Sequence, residues 1–72
     1  MKKSEIRLAF IDYIEEVQRS FTNGEILVFL ENTNALEVFN NLFDWPQNVA
    51  KEDLDALNEI IVEYREYFEK LV

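Results

Sequence analysis

The side chains of this protein that could do chemistry are mainly carboxylates, and their clearest pattern lies on one stretch. Glu52, Asp55, Glu59, Glu63 and Glu66 recur at steps of three and four, the spacing that lines side chains along one side of an α-helix. From Glu52 to Glu66 such a helix rises about 21 Å, so the row carries roughly one negative charge every 5 Å. One strand of DNA carries a charge about every 3.4 Å, which makes the row a sparser relative of a phosphate backbone. It is the candidate partner-binding face, able to attract a basic protein surface. A helix back that is merely solvated has the same pattern, because exposed charge also serves solubility.

Other chemistry is ruled out by what the chain lacks. It contains no His and no Cys, which excludes an imidazole base, a thiol nucleophile, disulfides and zinc fingers. A single Gly cannot build a glycine-rich phosphate loop, and the Ser and Thr hydroxyls have no His to activate them. Glu31, Thr33 and Asn34 resemble fragments of a calcium loop but lack its spacing of acids and its central Gly. Glu15 and Glu16 point to different sides of a helix, and paired-carboxylate hydrolysis needs a cleft that so short a chain has little core to form. The expectation is a non-enzymatic protein with no catalytic residues, no metal and no cofactor.

Charge narrows the partners. The net charge is -8, and no Lys or Arg lies between Arg19 and Lys51. Nucleic acid and anionic lipid are held by Lys and Arg, so direct binding to either would oppose this field. DNA-reading helical modules place Arg, Lys and Asn on a recognition helix, whereas every candidate helix here is acidic or neutral. A protein partner with a basic surface fits instead, with Glu31, Glu37 and Asp44 extending the negative surface. The concrete form of that expectation is a small acidic inhibitor that mimics nucleic acid, by analogy with those carried by phages and mobile elements.

The elements that must position these acids follow from the apolar pattern. Opposite the carboxylate row, Leu54, Leu57, Ile61, Tyr64, Phe68 and Leu71 form a seam at helical spacing, so the stretch reads as a two-sided helix whose greasy side other segments must cover. Lys51 with Asp55, and Glu66 with Lys70, stand at the spacing of i,i+4 ion pairs. Glu52, Glu59 and Glu63 have no base three or four positions away.

Toward the N-terminus, Ser4 is a candidate N-cap, with Glu5 placed for the positive end of the helix dipole. Ile6, Phe10, Tyr13, Ile14, Val17 and Phe21 make one broad apolar face, and Leu8 and Ile11 fall on the far side. Exposed aliphatics are ordinary, but this pair is also an alternative contact surface for a second copy or another protein, and with Trp45 it would serve a structural or regulatory module that self-associates. Asn23 or Gly24 can take the left-handed conformation that closes a helix. Asn-Gly is also a hairpin signal, but residues 17 to 21 keep a helical rather than an alternating pattern. The run from Ile26 to Leu30 is apolar on all sides and should pack centrally.

Asn34 and Glu37 have capping-box spacing, which marks a kink or a restart between a second and a third helix. Pro46 disfavours helical geometry at Trp45, which ends the third helix, and Asn48 is a candidate cap for the fourth. Trp45 reads either as a lid on the core or as an interface anchor.

The chain is therefore expected to be an all-α, three- or four-helix bundle forming a single acidic domain over residues 1–72. Helices are predicted near residues 4–21, 25–32, 34–44 and 49–71, with the first and last packed lengthwise. A chain this short buries only about 60% of its unfolded surface, yet 49% of its residues are hydrophobic. More apolar side chains are present than a small core needs, which again points to a partner or a homodimer. Charged Glu5 and Arg7 interrupt any secretory leader, and the longest apolar run, Ile26 to Leu30, falls far short of the ~20 residues that span a bilayer. The expected location is cytoplasmic.

Overall fold

The computed structural model describes residues 2–43 and 49–72. Among the described residues there are four helices and no strand: α1 (Lys3–Gln18), α2 (Asn23–Asn32), α3 (Ala35–Leu42) and α4 (Lys51–Leu71). The all-α bundle with a long C-terminal helix is as the periodicity predicts. Asp44, Trp45 and Asn48, the expected end of the third helix, lid or anchor, and cap, lie outside the described residues.

The helix termini correct the sequence reading in several places. Lys2, not Ser4, is the N-cap of α1; its extended backbone makes no side-chain cap bond, and its carbonyl accepts from Glu5 N at 3.0 Å and Ile6 N at 3.2 Å. At the other end α1 stops at Gln18 rather than continuing to Phe21. Ser20 N donates to Val17 O at 3.0 Å, an i→i+3 bond that tightens the last turn.

The cause lies just beyond. Thr22 caps α2: its Oγ1 accepts from Glu25 N at 3.2 Å, and Glu25 Oε1 accepts from Thr22 N at 2.9 Å. This reciprocal capping box makes Asn23 and Gly24 the first turn of α2, so neither takes the expected left-handed closure, and no described residue has positive φ. Thr33 and Asn34 are both extended and separate α2 from α3, so the middle of the chain is two rods. Asn34 Oδ1 accepts from Glu37 N at 2.9 Å, the cap that its spacing implied. Ala50 is the N-cap of α4, which starts two residues later than expected.

At 1.5 Å per residue α4 is about 31 Å long, nearly the 34 Å length of the molecule, and it contacts each of the other three helices. Lys3 pairs with Glu59 and Arg7 with Glu63, one turn further along both helices, so α1 and α4 run side by side in the same direction. A parallel pair needs a return path, and α2 and α3 supply it. Gly24, at the start of α2, lies against the end of α4, where a Cβ would stand 3.5 Å from Val72 Cγ1.

The core unites Ile6, Phe10 and Ile14 of α1 with Ile26 and Leu30 of α2, Ala35, Val38 and Phe39 of α3, and Leu57, Ile60, Ile61 and Phe68 of α4. The predicted seam is thus buried at Leu57, Ile61 and Phe68. It is only half-covered at Leu54 and Tyr64, and Leu71 is exposed. Ile60, off that seam, is fully buried, because a helix touched by three others buries more than a narrow stripe. Phe10 meets Tyr64 edge-on, with ring centroids 5.0 Å apart.

The run expected to pack centrally is split. Ile26 and Leu30 are buried and Leu27 and Phe29 half-buried, but Val28 is 58% exposed. A ten-residue helix lying on two neighbours leaves part of its circumference in water. Phe21, placed beyond the end of α1, is 53% exposed instead of continuing the buried face.

Candidate functional site

The acidic face is assembled by α4 alone. Glu52, Asp55, Glu59, Glu63 and Glu66 are all exposed, as their opposition to the buried seam requires. The row is nevertheless not uniform, because α1 reaches across to its centre. Lys3 Nζ bonds Glu59 Oε2. The Arg7 guanidinium forks onto Glu63, Nη1 to Oε2 at 2.8 Å and Nη2 to Oε1 at 3.3 Å, the bidentate geometry that fixes orientation as well as contact.

These pairs set the electrostatics of the face. The hydrogen bond from Arg7, and then its charge and that of Lys3, hold the Glu63 carboxyl below its usual range. In return the hydrogen bond to Glu63 raises Arg7. All four side chains are at least a third exposed to solvent, so screening leaves the pairs little net energy; their effect is to align α1 on α4. Within α4, neither Lys51 with Asp55 nor Glu66 with Lys70 closes to an ion pair among the described residues. The two pairings expected within α4 therefore do not form, and the bases that do neutralise the row, at Glu59 and Glu63, come from α1, which spacing within one helix does not reveal. Glu52, Asp55 and Glu66 are the members of the row without an ionic partner among the described residues.

Of the three predicted apolar contact residues, Trp45 lies outside the described residues and the other two diverge. Leu8 is 64% exposed, whereas Ile11 is half-buried in a crevice of about 440 Å³ shared with Ile14, Tyr64, Tyr67 and Phe68.

A second surface was not foreseen. Between the C-terminal half of α1 and α2 runs a groove of about 820 Å³ lined by Tyr13, Val17 and Phe21 on one wall and by Gly24, Ile26, Val28 and Phe29 on the other, with Thr22 and Glu25 at its end. The rings of Tyr13 and Phe29 lie 6.4 Å apart across it. Its signal in the sequence was Thr22 followed by Glu25, which fixes the helix break and so turns Phe21 into a corner residue rather than the last member of α1.

Among the described residues, fold and surfaces together define a small all-α bundle with an anionic helix back and an apolar groove. The chain matches no known family model, and no curated protein or solved structure is significantly similar to it. No helix among the described residues is long and apolar enough to cross a membrane.

Proposed function

We propose that this chain is a non-enzymatic protein-binding domain that occupies the basic surface of a nucleic-acid-binding protein. The observation that carries the reading is the row of five exposed carboxylates along one helix of a chain whose net charge is -8. Exposed Glu31 and Glu37 add to the field from α2 and α3. The cross-helix bridges to Lys3 and Arg7 mute the centre of the row, so Glu52, Asp55 and Glu66 carry most of the attraction. Because those bridges are solvent-exposed and individually weak, a partner's Lys or Arg can compete for Glu59 and Glu63.

The test is capture of proteins from a host lysate on immobilised chain, repeated at low and high salt and with duplex DNA as competitor. Basic nucleic-acid-binding proteins should be retained at low salt and released by salt and by DNA. The triple variant Glu52→Lys, Asp55→Lys, Glu66→Lys should lose them while keeping its helical circular dichroism. Retention unchanged by that variant removes the reading.

A different reading, self-association through an apolar contact, is favoured by the exposure of Leu8. In that case Leu8→Glu should dissociate a dimer seen by sedimentation, and wild-type protein that sediments as a monomer at high concentration rules it out.

A further inference from the structure

We infer that the groove between α1 and α2 is a docking site for a short amphipathic helix of a partner protein, apolar on the side it presents and carrying Lys or Arg at its flanks. The site is separate from the acidic row, since none of its lining residues comes from α4, and the inference does not rest on the mimicry reading.

Size and lining argue for a helix. Along α1 the lining from Tyr13 to Val17 rises about 6 Å, with Phe21 at the corner beyond, and along α2 the lining from Gly24 to Phe29 rises about 7.5 Å, a length that matches one to two turns of an incoming helix with anchors at i and i+3 or i+4. Phe21 and Val28 stand at the rim, 53% and 58% exposed, with half-buried Tyr13, Val17 and Phe29 below them. A wall this aromatic suits the large anchors that dominate helix-in-groove binding. The other common mode, addition of a strand to a sheet edge, has no edge to use among the described residues.

Charge selects the occupant. Exposed Asp12 and Glu16 lie one turn apart on α1 beside Tyr13 and Val17, and Glu25 closes the end of the groove. The one base nearby, Arg19 just past the end of α1, is bound to Glu16 at 3.2 Å, which leaves Asp12 and Glu25 as the border acids without an ionic partner among the described residues, and the chain has no Lys or Arg from residue 20 to residue 50. The border is thus anionic around an apolar floor, which repels fatty-acid and phospholipid headgroups and favours flanking Lys or Arg. A second copy of this chain fits poorly for the same reason: it would bring another net charge of -8 against the first.

The experiment titrates the full chain with a synthetic helical peptide carrying Leu and Phe on one side and Lys on the other, read by fluorescence anisotropy and by amide shifts. Two control peptides accompany it, a scrambled sequence of identical charge and a version with Glu in place of Lys. The basic amphipathic peptide should bind at least tenfold more tightly than either control and shift the amides of Val17, Phe21, Val28 and Phe29. Val28→Glu is the decisive variant, because it adds negative charge for a basic peptide while removing the apolar wall, and Glu suits an exposed helix position better than Val. Affinity should fall at least tenfold; Phe21→Ser, outside any helix, should act alike. Equal binding of the scrambled peptide, shifts confined to α4, or full affinity in both variants would overturn the proposal, as would a wild-type dimer that Val28→Glu dissociates.

Discussion

Replacing Thr22 by Ala tests whether one cap sets the boundary between α1 and α2 and, with it, the shape of the groove. The hydroxyl accepts from Glu25 N, and the Glu25 carboxylate accepts from Thr22 N; the variant removes the first bond and leaves the second without its counterpart. Loss of such a cap costs about 1 kcal/mol, against a total stability of about 4–11 kcal/mol for a chain of this length. In a domain of this size that corresponds to a fall in melting temperature of roughly 4–8 °C. The assay is thermal and urea unfolding followed by circular dichroism at neutral pH.

Acid supplies a second reading of the same box. Hydrogen bonds from the Thr22 backbone and then its side chain hold the Glu25 carboxyl below its ordinary value. A carboxyl whose folded pKa is depressed contributes stability above its unfolded pKa, near 4.3, and loses that contribution as pH falls through the folded value. Glu25→Gln should therefore be less stable than wild type at neutral pH, and the two should converge in acid. A Thr22→Ala melting curve that overlays wild type, or a Glu25→Gln difference that persists unchanged into acid, would refute the claim that this box fixes the start of α2.

Phe68→Ala should be the most damaging single change on α4: the ring is fully buried, truncations of this kind cost about 3–5 kcal/mol, and urea unfolding should show a correspondingly lower midpoint. Gly24→Ala should stabilise instead. The residue has helical, negative φ, the added Cβ would meet Val72 Cγ1 at an ordinary 3.5 Å, and the lower entropy of the unfolded chain is worth about 0.4–1 kcal/mol. A lower melting temperature for Gly24→Ala would mean that the end of α4 is packed more tightly on α2 than this distance allows.

Long periodic segments were readable from the residues because their burial pattern repeats. Leu57, Ile61 and Phe68 inward and Glu52, Asp55, Glu59, Glu63 and Glu66 outward follow from the helical period alone. What could not be read was set by neighbours that periodicity does not name. Ile60 is buried because α4 is touched from several sides. Val28 is exposed because α2 has only two neighbours to lie on. Glu59 and Glu63 are paired because α1 lies parallel to α4 at one register, a fact of tertiary packing. The break after Gln18 is legible in principle: Asn23-Gly24 suits a helix C-terminus, but the capping box of Thr22 and Glu25 starts α2 at Asn23, two residues earlier than expected.

The placement of the bases gives the two surfaces different physical characters. Lys3 and Arg7 are engaged where α1 lies against α4, and Arg19 is held by Glu16, so the groove is left with acids at its border and apolar side chains inside. Binding to the α4 row draws on charge at the surface, and at ordinary ionic strength that attraction decays over about 8 Å; it should collapse as salt rises. Binding in the groove draws on burial of Phe21, Val28 and Phe29, which salt does not screen, so only the contribution from flanking charges should weaken. A partner whose affinity falls steeply and without a floor as salt is raised uses the row. One whose affinity drops and then levels off uses the groove, and Val28→Glu should remove that plateau while charge reversal on α4 leaves it in place.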